Sequence, residues 1–324
     1  MAEDCRQLAS KPLTIIPFGD ILEHEPTDGK PPMTQLILPH TSVERPTVPR
    51  FSLQLFKWIG NKQRFAHEII SHFPDHFERY FEPFLGSGAV LGTLGPSRAV
   101  ASDALEPLMG IWRMLAERPD DLLDSYSTRY RAFSKDRQVA YKRILASFNR
   151  HPNPEDLFFL SRSCYGGVVR FRKDGHMSTP IGVHVPVNPE SMRHRIGVWR
   201  KRTRGTSFFL CDFEESMSKA GPGDLIYCDP PYFHTQSILY GAQGFDLDRL
   251  FRAITEAKKR GAFIALSIDG RKKSGTVECG ISLPPRLFTR TVHVNCGRSM
   301  LRRFQMAGMT LESEVVADRL LLTY

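Results

Sequence analysis

Residues 81–90 read FEPFLGSGAV, and they place a glycine turn between two segments of different periodicity. Residues 79–85 are rich in aromatic residues and short enough for a buried strand, whereas 89–94 resume as the start of a helix. At the turn, residues 86–88, glycine lets a ligand approach backbone N–H groups closely. This order predicts an α/β fold that binds a ligand at the turn, although the same pattern also occurs as plain loop geometry.

A carboxylate follows the next predicted strand. Residues 98–102 predict a second short strand, and Asp103 closes it 17 residues after Gly86. An acidic side chain at this point can accept both hydroxyls of a ribose, as in dinucleotide-binding folds. The turn and the acid therefore predict a nucleoside-containing cofactor. The third glycine of GxGxxG is missing, which argues against NAD, and there is no GxxxxGK[ST] motif for a P-loop.

The composition fits a soluble globular protein: 324 residues, 41% of them hydrophobic and 24% charged. No apolar run approaches the roughly 20 residues that a membrane span needs. Six cysteines show no CxxC spacing, so we expect reduced thiols without a disulfide framework or a Cys-based zinc site. We therefore expect a cytoplasmic monomer with neither a metal site nor a membrane partner.

The order of predicted elements indicates one sheet with an insertion. Residues 1–50 carry eight of the 23 prolines and predict an extended arm. Beyond the elements above, we predict helices at 64–73 and within 105–149, strands at 207–210 and 225–228, a helix at 246–260, and strands at 263–268 and 314–324. Strands alternating with helices predict one α/β sheet over 51–115 and 206–324, interrupted by a helical and basic insertion at 116–205.

Positive charge is concentrated in one part of the insertion. The chain carries a net charge of +9, and residues 160–205 contain ten basic against two acidic side chains. We see no clear helical periodicity in this segment. Lys and Arg gain affinity for nucleic acid by releasing condensed counterions, so the segment predicts a surface that contacts phosphates rather than a merely solvated face.

A second motif, YCDPPYF at 227–233, follows the predicted strand 225–228. Two consecutive prolines cannot continue a sheet ladder, because neither has an N–H to donate. The loop would hold the carboxylate of Asp229, the carbonyl of Pro230 and the ring of Tyr232 in fixed positions around a flat substrate. Taken alone, the motif could also be a simple strand terminator.

In this order, the motifs resemble the Dam-like (D12 class, alpha-group) family of DNA adenine-N6 methyltransferases. That family carries a KWxGxK stretch, EPFxGxG, an acid after the second strand, a basic specificity segment, a DF pair and DPPY. The matching residues are Lys57, Trp58, Gly60 and Lys62; Glu82, Pro83, Phe84, Gly86 and Gly88; Asp103; Asp212 and Phe213; and Asp229, Pro230, Pro231 and Tyr232.

The resemblance implies a Rossmann-like fold that binds S-adenosylmethionine as cofactor. Trp58 and Lys62 would contact it, Asp103 would hold its ribose, and Asp212 and Phe213 would border its adenine. The other cofactor positions that the family implies are Pro83, Phe84, Gly86, Ser87, Gly88 and Asp229.

The resemblance also assigns catalysis to Asp229, Pro230, Pro231 and Tyr232. The exocyclic amine of adenine is a poor nucleophile, because its lone pair is delocalised into the ring. Hydrogen bonds from the amine to the Asp229 carboxylate and the Pro230 carbonyl would aim that lone pair at the methyl group. Positioning of this kind supplies up to ~7–11 kcal/mol. Tyr232 would stack on the base after it leaves the duplex, which is worth roughly 1–3 kcal/mol.

Residues 116–205 would then form the target-recognition domain, with double-stranded DNA as the partner. The stretch at 159–182, FLSRSCYGGVVRFRKDGHMSTPIG, is similar to the family's recognition segment. An Arg in such a segment can read a guanine or hold a phosphate. The enzyme would act on nucleoid DNA in the cytoplasm, as an orphan or beside a restriction endonuclease for the same site. The predicted DNA contacts are Arg162, Arg170, Arg172 and Lys173.

Three alternatives stay open at this point. Methylation of cytosine N4 needs the same clamp on an exocyclic amine, although serine is commoner there in the place of Asp229. An RNA adenine would suit similar chemistry. A catalytically silent DNA-binding protein would tolerate loss of Asp229, Tyr232 or the glycine turn, all of which are intact.

Overall fold

The computed structural model describes residues 47–231, 245–272, 277–278, 282–295 and 317–324. The predicted N-terminal arm lies outside the described residues except for 47–50, and so does the predicted catalytic Tyr232.

Helices and strands alternate along the described chain, apart from a run of helices in its middle and a run of strands after α9. The elements are α1 Ala66–Ile70, β1 Tyr80–Glu82, α2 Ala89–Leu94, β2 Ala99–Asp103, α3 Glu106–Glu117, α4 Pro119–Lys135, α5 Arg137–Arg150, α6 Pro154–Ser163, α7 Pro189–Arg202, β3 Thr206–Leu210, α8 Phe213–Ser218, β4 Leu225–Cys228, α9 Leu247–Lys259, β5 Phe263–Lys272, β6 Val277–Glu278, β7 Arg290–Asn295 and β8 Ala317–Leu322.

The described strands form one sheet in the order β3-β2-β1-β4-β5-β8-β7, with β6 paired to β5. Strands β1 to β5 run parallel, and β8 and β7 extend the sheet by antiparallel pairing. The chain winds outward from β1 through β2 to β3 and then returns to β4 on the other side of β1. This reversal creates a topological switch point between β1 and β4, outside whose carboxyl ends open α/β sheets bind ligands.

The predicted α/β class with a Rossmann-like parallel sheet is confirmed. The predicted strand 225–228 and helix 89–94 have the observed bounds, and Pro119 begins α4 as the predicted break between helices. Every residue of β1 and β4 is buried, as expected for central parallel strands covered on both faces. Among the described helices, none is both long and apolar enough to cross a bilayer.

The helical insertion shares its hydrophobic core with the sheet. Trp112 of α3 stacks on Phe208 of β3, with ring centroids 5.6 Å apart, and meets Trp199 of α7 at 5.4 Å. Both tryptophans are fully buried in the cluster that also contains Tyr80 of β1 and Tyr227 of β4. The insertion is therefore packed onto the elements that carry the glycine turn, and its boundaries at 116 and 205 stay a prediction.

The expectation that residues 160–205 lack helical periodicity is wrong for α7. Asn188 caps this helix by accepting a hydrogen bond from the Ser191 N–H at 2.8 Å, and proline occupies the first helical position. Met192, Ile196 and Trp199 recur at helical spacing and are buried. The basic residues between them conceal this apolar stripe in the sequence.

Two helical glycines provide a matched test of the packing between α2 and α7. A Cβ on Gly92 of α2 would lie 2.5 Å from the Trp199 ring, whereas one on Gly197 of α7 would meet nothing within 4 Å. We predict that Gly92→Ala lowers the free energy of unfolding by about 1–3 kcal/mol through overpacking. Gly197→Ala should raise it by about 0.5–1 kcal/mol, because alanine loses less backbone entropy in a helix. Urea unfolding measures both, and a stabilised Gly92→Ala would contradict this packing.

Candidate active site

A cavity of about 650 Å³ lies at the carboxyl ends of β1, β2 and β4. Its volume is in the range of small-molecule sites. It brings together nearly all the predicted cofactor and catalytic positions that the structure describes. Those that line it are Trp58, Lys62, Pro83, Phe84, Gly86, Ser87, Asp103, Asp212, Phe213, Asp229, Pro230 and Pro231.

The glycine turn forms the wall of the cavity that follows β1. Gly86 and Gly88 have φ angles of 49° and 62°, which favour glycine. Gly88 is not in the lining, because it faces Trp112, whose ring would lie 2.8 Å from a Cβ there. The Trp112 Nε1–H donates to the Gly86 carbonyl at 3.1 Å. On the other side, the Trp58 ring would lie 3.3 Å from a Cβ on Gly86. Two tryptophans therefore fix the shape of the turn.

Asp103 stands at the end of β2, beside the turn. Its carboxylate accepts hydrogen bonds from the Gly86 N–H at 3.0 Å and from the Leu105 N–H at 3.1 Å. Burial raises the pKa of Asp103, and these backbone donors oppose that shift by stabilising the charged form. Asp103 thus joins the turn after β1 to the start of α3 while lining the cavity.

Asp229 follows β4 and forms an ion pair across the cavity. Its Oδ1 lies 2.7 Å from Lys62 Nζ, and the two side chains are 18% and 5% exposed. Lys62 also donates to the Gly60 carbonyl at 3.3 Å. A lysine predicted to contact the cofactor is therefore also a direct partner of the predicted catalytic carboxylate.

Glu82 at the end of β1 is a site residue that the sequence reasoning named only as part of a motif. It is fully buried behind the cavity, where its Oε2 accepts hydrogen bonds from the Tyr80 hydroxyl at 2.7 Å and the Leu91 N–H at 2.9 Å. Burial raises its pKa to about 8, and the negative charge of Asp229 acts in the same direction. The cavity therefore contains a carboxyl group that is largely protonated at neutral pH, close to one that forms an ion pair.

The predicted pair Asp212 and Phe213 forms one corner of the cavity. Aromatic stacking and an arginine stabilise this corner. Phe213 stacks on Phe84 at a centroid distance of 5.2 Å. Arg249 of α9 lies over the Phe213 ring at 5.1 Å and donates to Asp212 at 3.0 Å. Arg249 lines the cavity too, and the sequence offered no motif that could have identified it.

Three of the four predicted DNA contacts are exposed on one hairpin. The hairpin is closed by the antiparallel bridge between Phe171 and Met177; Arg172 and Lys173 lie at its tip, and Arg170 directly precedes the bridge. Arg172 pairs with Asp174 at 2.9 Å, an interaction between exposed groups that water screens. Phe171 itself, with Gly175, lines the cavity, so this hairpin borders the site.

The structure does not support the fourth DNA contact, Arg162. Its side chain is buried, and the guanidinium donates to the carbonyls of Leu55, at 2.9 Å, and Gln54. Burial and the nearby charge of Arg195 lower its pKa to about 10. A guanidinium enclosed in this way cannot reach a phosphate without unfolding its surroundings, so we correct Arg162 to a structural residue.

The chain is similar to DNA adenine methyltransferases. Residues 58–260 match the family described as D12 class N6 adenine-specific DNA methyltransferase. The DNA N-6-adenine-methyltransferase of Escherichia phage P1 is 29% identical over 236 residues, which are 68% of this chain and 30% of that protein. The retron Ec67 DNA adenine methylase of Escherichia coli is 32% identical over 203 residues, 60% of this chain and 68% of the relative. The type II methyltransferase M1.LlaDCHI of Lactococcus lactis subsp. cremoris is 26% identical over 230 residues, 65% and 79%.

Glu82 makes the free energy of unfolding depend on pH. A carboxyl whose pKa rises on folding stabilises the protein at low pH, and this stability is lost as the pH rises towards about 8. We predict that the free energy of unfolding of the wild type, relative to Glu82→Gln, falls between pH 5 and 8 by up to about 1.4 kcal/mol per pH unit. Glutamine can keep both hydrogen bonds, so the variant isolates the charge. Parallel stability curves in urea unfolding would disprove the raised pKa.

Proposed function

Because this chain belongs to the D12 class N6 adenine-specific DNA methyltransferase family, we propose that it transfers a methyl group from S-adenosylmethionine to N6 of an adenine flipped out of duplex DNA. The observation that carries the proposal is the meeting of the glycine turn, Asp103 and Asp229 in one cavity at the switch point of the sheet. A carboxylate for a nucleoside and a carboxylate for an amine are the two polar groups that this reaction needs.

The residues of the cavity fit S-adenosylmethionine. An ionised carboxylate offers about four lone-pair positions, so Asp103 can accept ribose hydroxyls in addition to its two backbone donors. Asp212 and the stacked pair Phe84 and Phe213 offer a polar edge and an apolar face for the adenine ring. When bound, the cofactor supplies a methyl group activated by the positive charge on its sulfur.

The loop after β4 would hold the target amine. Asp229 stands directly beyond the fully buried end of β4, and the two prolines that follow cannot take part in further strand pairing. The Asp229 carboxylate and the Pro230 carbonyl would both accept hydrogen bonds from N6, which orients its lone pair. Lys62 already pairs with Asp229, so it fixes the position of this carboxylate before the base arrives.

The hairpin that carries Arg170, Arg172 and Lys173 would contact DNA beside the cavity. Its exposed cations suit phosphates, while Phe171 faces the cavity into which the base would turn. We place this activity in the cytoplasm, with the protein acting as a monomer on double-stranded DNA.

Replacement of Asp229 tests the proposed reaction. Asp229→Asn keeps the shape of the side chain but presents an amide without the charge that attracts the amine. We predict that methyl transfer falls by at least about a hundredfold, the typical size of a positioned acid or base effect. DNA affinity should stay close to wild type, and Asp120→Asn, an exposed change on α4, should leave turnover unchanged. An Asp229→Asn enzyme with more than a tenth of wild-type turnover would refute this role.

A second prediction concerns the hairpin. The triple substitution of Arg170, Arg172 and Lys173 by Ala should weaken binding to all DNA sequences. If the three side chains contact phosphates, the slope of log affinity against log salt should fall by about 0.9 for each contact. The matched control replaces Arg98 and Lys259, exposed at the amino ends of β2 and β5 and therefore opposite the cavity.

A salt titration by fluorescence anisotropy measures both variants. The control should have the slope of the wild type. A triple variant with the wild-type slope would show that the hairpin does not touch DNA phosphates.

A further inference from the structure

Residues 51–55, here called the strap, lead into the segment that supplies Trp58 and Lys62 to the cavity. The strap forms no regular secondary structure, and side chains hold its carbonyls instead. Gln63 donates to the Phe51 carbonyl at 2.6 Å, and the Trp199 Nε1–H donates to the Leu53 carbonyl at 2.7 Å. Backbone carbonyls at the core need such partners, so these donors determine where the strap lies.

Two arginines of the insertion complete this set of donors. Arg195 of α7 donates to the Gln54 carbonyl at 2.7 Å, and Arg162 of α6 donates to the carbonyls of Gln54 and Leu55. Among the ion pairs of the described residues, neither arginine has an acidic partner. Desolvation lowers the pKa of both guanidinium groups, so burying them costs stability, and the hydrogen bonds to the strap carbonyls offset part of that cost.

Helix α7 also holds the other wall of the cavity. Arg202 donates to the carbonyls of Gly92 at 3.4 Å and Thr93 at 3.2 Å, in the last turn of the helix that follows the glycine turn. Trp199 meets Trp112, which donates to Gly86. One helix therefore contacts both segments that shape the cavity, the strap and α2.

The opposite face of α7 is exposed and basic. Arg193, His194 and Arg200 point away from the core, whereas Arg195 is half-buried and Trp199 fully buried. The helix thus presents cations to solvent on one side and holds the strap with the other. Arg193 is exposed and Arg195 is half-buried, a difference that the sequence does not predict.

We propose that Arg195 is a positioning residue for the cofactor: by holding the strap, it sets the places of Trp58 and Lys62 at the cavity wall. The inference rests on the proposed function, since it presupposes that S-adenosylmethionine binds in this cavity. Arg162 and Trp199 act in the same way on the neighbouring carbonyls, so the recognition insertion supports the cofactor site directly.

The test compares Arg195→Gln with Arg193→Gln on the same helix. Calorimetric titration with S-adenosylmethionine should give a dissociation constant roughly 2- to 30-fold higher for Arg195→Gln, the usual range for residues that act through intervening contacts. Arg193→Gln should bind the cofactor as the wild type does. Arg195→Lys, which keeps a cationic donor, should recover part of the lost affinity, and DNA affinity should be unchanged in Arg195→Gln. Thermal melting shows whether each variant is folded.

The outcomes distinguish a failure of the proposed function from a failure of the positioning role. A wild type that does not bind S-adenosylmethionine would overturn the proposed function. A wild type that binds it, with Arg195→Gln equal in affinity or Arg193→Gln equally weakened, would overturn only the positioning role. If Arg195→Gln does not fold, Arg195→Met takes its place: it keeps an apolar side chain and removes the donor to Gln54, and unchanged cofactor affinity in this variant would equally reject the inference.

Discussion

Two parallel strands, β1 and β4, lie side by side at the centre of the sheet, and this pairing decides where the cavity lies. The register joins Tyr80 to Leu225 and Phe81 to Ile226, so the two chains leave the sheet at the same edge. One continues into the glycine turn and the other into Asp229. Because parallel strands end at the same edge, motifs that lie more than 140 residues apart in sequence line one cavity. Any change that shifted this register would separate the glycine turn from Asp229.

Burying the polar groups at this edge of the sheet lowers the stability of the fold. Neighbouring groups offset that loss in different ways. Asp229 pairs with Lys62, Asp103 accepts backbone N–H donors, and burial raises the pKa of Glu82 to about 8 although the Tyr80 hydroxyl donates to it. Buried carboxyl groups in distinct environments are typical of functional sites rather than of cores optimised for stability. The same reasoning applies to the buried guanidinium of Arg162, which donates to the carbonyls of Leu55 and Gln54.

Much of this arrangement could be predicted from the sequence, because the central strands are short, mostly apolar and followed by glycine or proline turns. The turn and the strand before Asp229 follow from those signals, whereas most other cavity residues follow from the resemblance of the ordered motifs to a known family. Helix α7 could not be predicted so well, since basic residues interrupt its stripe of Met192, Ile196 and Trp199. Charge in a sequence also does not report burial, so the sequence predicts Arg162 as a DNA contact although its side chain is buried. Arg249 reaches Asp212 from α9, a contact that only the fold creates.

The identity of the methylated base tests the central claim most directly. Duplex DNA of mixed sequence, incubated with the protein and S-adenosylmethionine carrying an isotope-labelled methyl group, can be digested to nucleosides and analysed by mass spectrometry. The account predicts that the label appears in N6-methyldeoxyadenosine. Label in N4-methyldeoxycytidine, or label that enters RNA under matched conditions but not DNA, would contradict it.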